Sequence, residues 1–205
     1  MTRVYLIRHG QTVWNKEMKY QGHSDTALTE EGLRQARQVA QRFANEKIAA
    51  VYASDLSRAY NTAEAIAGKH GLPVATLPAL REINFGVWEG LTYTAINEKW
   101  SDDMRVLYTT PDELVIPGGE TFRQLKERAG NAMDSLVKNH PDETIAVVSH
   151  GGTIRTILCA ILNIHLNHVW NIRQDNTAVN IIDYYSEKTI VSLVNDAHHL
   201  TMKCD

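Results

Sequence analysis

Two places in the chain bring chemically capable side chains to the end of an apolar run. "VYLI", residues 4–7, leads directly into Arg8, His9 and Gly10. "TIAVV", residues 144–148, leads into Ser149, His150, Gly151 and Gly152. Short runs of this kind read as buried strands, and in open α/β sheets ligands bind beyond the carboxyl ends of such strands. A glycine there lets backbone N–H groups approach an anion, and a helix starting after Gly152 directs its positive end to the same place. One histidine at a strand edge is more often a satisfied polar residue than a functional one. Two, each with glycine beside it, are expected to converge on a single anion.

Two further residues fit that picture. Arg58, in "SDLSRAYNTA", lies one turn into a helix that follows a strand, so it belongs to the same edge. With Arg8 it supplies two planar guanidinium forks able to hold phosphate oxygens in bidentate fashion. In "LREINFGVWEG", Glu82 follows an apolar stretch and precedes Phe85 and Trp88, surroundings that raise a carboxyl pKa by desolvation. Glu89 is a rival in the same stretch, and spacing does not choose between them.

Other polar candidates read as structural. His165 and His168 ("HLNH") have no neighbouring Cys, Asp or Glu cluster to complete a metal site. His198 and His199 are expected in a solvated tail, and Ser54 and Ser57 as caps of the helix carrying Arg58. Trp88, Trp100, Met104 and Tyr108 are core candidates that line a pocket only if their segment covers one.

These residues need a frame. After the strand at 4–7, Leu33, Ala36, Val39, Ala40, Phe43 and Ala44 recur at helical spacing behind a Thr29 cap and acidic Glu30 and Glu31. A strand at 48–54 and a helix marked by Leu56, Ala59, Ala63, Ile66 and Ala67 follow, with Gly71 and Pro73 as stop signals. A short strand is expected near 74–77. Phe122, Leu125, Ala129, Met133 and Leu136 mark a long helix before the strand at 144–148, and Ile154, Ile157, Leu158, Ile161 and Leu162 mark a helix after "SHGG". "AVNIIDYYSEKTIVSLV" reads as two strands around a turn at 186–188. The alternation predicts an α/β three-layer sandwich, with a mostly parallel sheet and an antiparallel edge. Residues 86–119 show no sustained period and are expected to form a lid-like insertion in a single domain spanning 1–205.

With 43% hydrophobic and 22% charged residues in 205, the composition suits one globular domain. A formal charge of −3 argues against a non-specific nucleic-acid binder. Cys159 and Cys204 are far apart and imply neither a disulfide framework nor a thiolate metal site. The N-terminal apolar run is too short for a signal peptide, and no run approaches the roughly 20 residues needed to span a bilayer. A cytoplasmic location, with no nucleic-acid or membrane partner, is expected; nothing in the chain specifies an oligomeric state.

Taken together, "RHG", the Trp14–Asn15 pair, "QGHSD", "LTEEG", "SDLSRAYNTA", "LREINFGVWEG", "PGGE" and "SHGG" resemble the histidine phosphatase superfamily, in its phosphoglycerate-mutase-like branch. The motifs are weak singly and specific in this order. The resemblance implies a phosphoglycerate-mutase-like fold and makes His9 the nucleophile that becomes phosphorylated. Arg8, Arg58 and His150 would then hold the phosphoryl oxygens, helped by Asn15 and the backbone N–H of Gly151. It matches Glu82, not Glu89, to the family's proton donor and places Gln21 and Gly22 at the border of the phosphate pocket. No metal and no cofactor are implied.

The expected activity is that of a small phosphomonoesterase acting on a small phosphorylated metabolite, of the α-ribazole-phosphatase-like or broad-specificity kind. The alternatives are a phosphoglycerate mutase and a non-catalytic anion-binding regulatory module. In 86–119 the basic Lys99 and Arg105 are outnumbered by Glu89, Glu98, Asp102, Asp103, Asp112 and Glu113. An acidic lid of that kind favours a neutral or mixed leaving alcohol, and hydrolysis over mutase chemistry.

Overall fold

A computed structural model describes residues 1–201, so Cys204 lies outside the described residues. The chain runs β1 (Thr2–Arg8), α1 (Val13–Lys16), α2 (Glu30–Phe43), β2 (Ala50–Ala53), α3 (Ser57–His70) and β3 (Val74–Thr76). It continues through α4 (Tyr93–Lys99), α5 (Ser101–Thr109), α6 (Phe122–Asn139), β4 (Thr144–Ser149), α7 (Gly151–Ile161), β5 (Val179–Tyr184) and β6 (Thr189–Asp196).

The strands form one sheet in the order β3-β2-β4-β1-β5-β6. β1, β2, β3 and β4 are mutually parallel, and β5 and β6 add the antiparallel edge. Because strand side chains alternate between faces, Val4 and Leu6 enter a core shared with α6 and α7, whereas Tyr5 and Ile7 enter a second core shared with α2 and α3. That is the three-layer sandwich expected from the alternation. β1 and β4 are neighbours in register, with Arg8 opposite Ser149. His9 and His150 therefore leave the sheet side by side.

The helix ends follow local chemistry. Thr29 caps α2 by accepting the Gly32 N–H at 3.0 Å, and Thr121 with Gln124 forms a reciprocal capping box at the start of α6. Gly71 ends α3 at φ +64°, a left-handed turn that suits glycine. The start of α3 departs from expectation. Neither Ser54 nor Ser57 caps it, and Asp25 does so from a distant loop, its Oδ1 accepting both the N–H of Ser57 at 2.9 Å and its hydroxyl at 2.7 Å.

Residues 86–119 are more regular than the sequence suggests. They contain α4 and α5, and their apolar residues Trp88, Ile96, Met104, Leu107, Leu114 and Ile116 are buried in the α6–α7 core. The helical period is masked because each helix is short and the two are joined at Trp100. Cys159 is buried in α7. Among the described residues no helix is long and apolar enough to cross a membrane.

One buried polar cluster ties the antiparallel edge to β1. The Asn180 side chain donates to the Leu6 carbonyl at 3.0 Å and to Gln174 Oε1 at 2.9 Å, and accepts from Gln174 Nε2 at 2.8 Å and the Asn195 N–H at 2.9 Å. All four of its hydrogen-bonding valences are used. Asn180→Ala leaves buried donors and acceptors unpaired, which should cost roughly 2–4 kcal/mol. A urea titration should show a lower midpoint with an unchanged m value.

Candidate active site

The carboxyl ends of β1 and β4 open into a cavity of about 350 Å³. His9 lines it, and the buried His150 stands against His9 with ring centroids 5.1 Å apart and planes inclined by 59°. His9 Nδ1 is 2.7 Å from the carbonyl oxygen of Gly10. A carbonyl only accepts, so the proton sits on Nδ1 and the Nε2 lone pair is left free. His150 is held the opposite way: Arg58 Nε donates to its Nδ1 at 3.2 Å. Its proton therefore sits on Nε2, which is buried and has no protein partner. Burial, reinforced by the charges of Arg58 and Arg8, holds both imidazoles well below their ordinary pKa and keeps them neutral.

Two arginines complete the cluster. Arg58 is fully buried, and its two terminal nitrogens donate to the carbonyls of Ser24 at 2.8 Å and Gly22 at 2.7 Å. Arg8 donates from Nη1 to the Gln174 carbonyl at 2.6 Å, while its buried Nε has no partner in the protein. Burial pushes each guanidinium down to about 10, still charged at neutral pH. Among the described residues neither forms an ion pair with a carboxylate. The buried Arg8 Nε and His150 Nε2 are donors without a protein partner, such donors call for one, and the free Nε2 lone pair of His9 belongs to the same cluster.

Glu82 faces the same space. Its carboxyl oxygens accept from the N–H groups of Ile83, Gly152 and Thr153, each at 3.0 Å, so the group is seated on the amino end of α7. A Cβ at Gly152 would fall 2.6 Å from Glu82 Oε1, so a larger residue there would displace the carboxyl from its seat. Glu89 is engaged elsewhere: its oxygens bind the N–H groups of His23 and Ser24 at 2.8 Å and the Ser24 hydroxyl at 2.6 Å. It does not line the cavity.

A family model for the histidine phosphatase superfamily (branch 1) matches residues 4–197. The chain belongs to this superfamily. Phosphoserine phosphatase 1 of Hydrogenobacter thermophilus is 31% identical over 98% of this chain and 95% of that protein. A probable phosphoglycerate mutase, GpmB of Yersinia pestis, is 34% identical over 98% and 96%. Among solved structures, Bacillus stearothermophilus YhfR superposes with a TM-score of 0.94 at 33% identity, covering 98% of this chain and 100% of that one. A histidine-to-alanine variant of the Entamoeba histolytica phosphoserine phosphatase, in complex with phosphoserine, gives 0.89 at 29% identity over 98% and 100%. The fold is therefore phosphoglycerate-mutase-like and the chain is a phosphatase of the histidine phosphatase type.

Most residues singled out in the sequence of this histidine phosphatase meet at the cavity. Arg8, His9, Asn15, Gln21, Arg58, Glu82 and Gly151 line it. His150 does not line it: it is fully buried, against His9. Gly22 stands behind, its carbonyl holding Arg58. Four expectations change. Glu82 rests on backbone donors instead of among aromatic rings: Phe85 lines the cavity, but Trp88 is fully buried in the core, together with Met104. Of the aromatic candidates in 86–119, Tyr108 lines the cavity, joined by Tyr93. The acidic residues of that segment do not line the cavity; Asp112, for one, pairs with Arg123 at 2.7 Å. His199 is buried rather than solvated, bonded to the Thr177 hydroxyl at 3.0 Å and clear of the cavity.

Lys19, Tyr20, Arg155 and Trp170 were not anticipated and also line the cavity. A usable signal existed for Arg155, which falls one helical turn after Gly151 and so faces the same end of the sheet. His165 caps the turn after α7, its Nδ1 accepting the Asn167 N–H at 3.3 Å. Among the described residues no group of three potential metal ligands comes together.

The depressed histidines set a pH dependence. His9 and His150 lie well below 6.5 when folded, and burial with Arg42 nearby lowers His199 to about 4. Between pH 6.5 and 4 the unfolded chain thus binds protons that the folded chain refuses. Stability should be complete above about pH 6.5 and fall below it, by up to about 1.4 kcal/mol per pH unit for each ring. Urea unfolding at pH 7.5, 6 and 5 checks this. Saturating inorganic phosphate should flatten the slope, because an anion beside His9 and His150 favours their protonated forms.

Proposed function

We propose that this phosphatase hydrolyses small phosphomonoesters through a phosphohistidine formed on His9, without a metal ion. The observation that carries the reading is the pair of opposed tautomers: a free Nε2 lone pair on His9 beside an unpartnered Nε2–H on His150 and an unpartnered Nε–H on Arg8. In the first step His9 Nε2 bonds to phosphorus and the bond from phosphorus to the ester oxygen breaks. The proton on Glu82 goes to the leaving alkoxide, so an alcohol departs. In the second step Glu82 takes a proton from water, the new oxygen bonds to phosphorus, and the P–N bond breaks to release phosphate. Charge on the transferring group spreads over its equatorial oxygens, where Arg8, Arg58 and His150 donate from positions fixed beforehand. His9 Nδ1–H, held by Gly10, stabilises the positive charge of the phosphorylated ring.

Hydrolysis is favoured over phosphoryl return because the cavity wall is open to water: Tyr93 and Tyr108 line it, yet are 51% and 49% exposed. A phosphoenzyme behind such a wall meets water readily. Small phosphorylated ligands also fit the phosphoserine complex of the Entamoeba histolytica neighbour.

Wild-type protein mixed with labelled substrate in the presence of EDTA and quenched in base should retain acid-labile label. His9→Ala should retain none and lose at least about a thousandfold in kcat. Full turnover by that variant, or inactivation of the wild type by EDTA, would reject the mechanism.

Glu82 should matter in proportion to the basicity of the leaving group. Glu82→Gln should lower kcat/KM for glycerol 3-phosphate by roughly 100-fold or more, and far less for p-nitrophenyl phosphate, whose phenolate leaves without a proton. Equal losses on the two esters would assign Glu82 to structure alone.

A further inference from the structure

Asn15 lines the cavity, but the sense of its amide is decided outside it. Its Oδ1 accepts the Thr12 N–H at 3.1 Å and a second hydrogen bond from Asn176 Nδ2 at 3.3 Å. A backbone N–H only donates, so the amide oxygen must lie on that side. Among the described residues no protein group accepts from Asn15 Nδ2. The amide thus turns its oxygen to the frame and keeps its NH2 group for the cavity.

Asn176 has no more freedom than Asn15. Its Nδ2 also donates to the His9 carbonyl at 3.1 Å, and a carbonyl only accepts. Its own amide is therefore oriented by the backbone of His9. One NH2 group joins that backbone to the Asn15 side chain, and Asn176 itself does not line the cavity.

The chain around Asn176 is held in a conformation that its sequence disfavours. Thr177, a β-branched residue, sits at φ +55°, in the left-handed region that such residues avoid. Strain of this kind persists only where the surrounding contacts impose it. The Thr177 N–H reaches the His9 carbonyl at 3.3 Å, and its hydroxyl donates to the Asn176 carbonyl at 2.8 Å while accepting from His199 Nε2 at 3.0 Å. Two donors from adjacent residues thereby meet on one carbonyl. Their neighbours hold the same strand end: the Gln174 carbonyl takes Arg8 Nη1 at 2.6 Å, and the Ala178 carbonyl takes the Arg8 N–H at 3.1 Å. Residues 174–178 grip Arg8, His9 and Asn15 without entering the cavity.

Building on the phosphatase reading above, we infer that Asn176 is a positioning residue for phosphoryl transfer: its NH2 group, shared between the His9 carbonyl and Asn15 Oδ1, holds the Asn15 amide with its Nδ2–H toward the phosphoryl group. A donor fixed beforehand needs no reorganisation as charge develops on the transferring oxygens. Without Asn176 only the Thr12 N–H opposes a half-turn of the Asn15 amide, which would set its oxygen against those of the phosphoryl group. The His9 carbonyl keeps the Thr177 N–H in either case. The effect of Asn176 therefore runs mainly through Asn15.

The test is a double-mutant cycle with Asn15→Ala, Asn176→Ala and the double variant, read as kcat/KM for p-nitrophenyl phosphate and as the Kd of inorganic phosphate. Each single variant should lose about tenfold in both quantities. Adding Asn176→Ala to Asn15→Ala should change either by less than about twofold, a coupling that a merely structural brace would not produce. A loss in that background as large as in the wild type, or single variants at wild-type levels, would overturn the assignment. Asn176→Asp keeps the shape of the side chain and covers the case in which Asn176→Ala does not fold. Its carboxylate only accepts, so it draws the Asn15 NH2 group away from the ligand and should cost about tenfold or more. That loss should shrink at least about threefold when residue 15 is already alanine, and an equal loss in both backgrounds would reject the inference. Circular dichroism establishes that each variant is folded. If the wild type hydrolyses no phosphomonoester, it is the phosphatase reading that fails. Phosphate affinity then decides alone: the same coupling upholds the positioning of Asn15, and losses that multiply, or a wild type that does not bind phosphate, reject it.

Discussion

Two neutral histidines 5.1 Å apart could present any of four combinations of tautomers to a ligand, and only one puts a lone pair beside a donor in the required places. The choice is made by partners that have no freedom. The Gly10 carbonyl cannot donate and the Arg58 Nε cannot accept, so His9 and His150 are fixed in opposite senses. Everything else around the cavity keeps those two partners in place. The parallel pairing of β1 with β4 delivers the rings side by side. The carbonyl of His9 is held in turn by the Asn176 side chain at 3.1 Å and the Thr177 N–H at 3.3 Å. His199 braces Thr177 from behind.

The buried arginines show the same preference for partners that cannot neutralise them. Arg8 and Arg58 are held by the carbonyls of Gln174, Gly22 and Ser24. A carbonyl dipole offsets part of the desolvation cost of a guanidinium without cancelling its charge. A carboxylate in the same position would stabilise the empty site better and compete with phosphate for it. Carboxylates are used freely elsewhere in the fold, where a neutral pair is wanted: Asp55 takes Arg81, Glu120 takes Arg128, and Asp183 takes Arg3. Charge is thus quenched in the frame and kept in the pocket.

What could be read from the sequence divides along physical lines. Arg8, His9, His150 and Gly151 were legible because strand ends and flanking glycines are local features, and the sheet order then brings the two ends together. The three-layer architecture was legible for the same reason, since strand and helix periods alternate cleanly. Arg155 carries only the weaker signal of its place one turn after Gly151, because an arginine inside an apolar helix reads as an exposed position until Trp170, arriving from a later turn, covers one of its faces. The cap of α3 was misread because Asp25 acts across 32 positions of sequence, and local rules favour the nearer serines. The electrostatics of 86–119 were misjudged because composition does not say which way side chains point: Ile96 and Leu107 turn inward, Tyr93 and Tyr108 face the cavity, and the acids face elsewhere.

The segment from Gln21 to Asp25 joins these parts. Gly22 and Ser24 give their carbonyls to Arg58, His23 donates from Nε2 to the Glu82 carbonyl at 2.9 Å, and Asp25 starts the helix that carries Arg58. One short loop therefore positions both the arginine that sets the His150 tautomer and the backbone of the carboxyl that faces it. The loop is held in turn by Glu89, the carboxylate that spacing alone could not separate from Glu82. Gly22 makes that grip possible: its φ of +54° suits glycine, and a Cβ there would fall 2.0 Å from Glu89 Oε1. The two carboxylates of "LREINFGVWEG" divide the work by position. Glu82 faces the cavity, and Glu89 holds the loop that keeps Arg58 and Glu82 in register with each other.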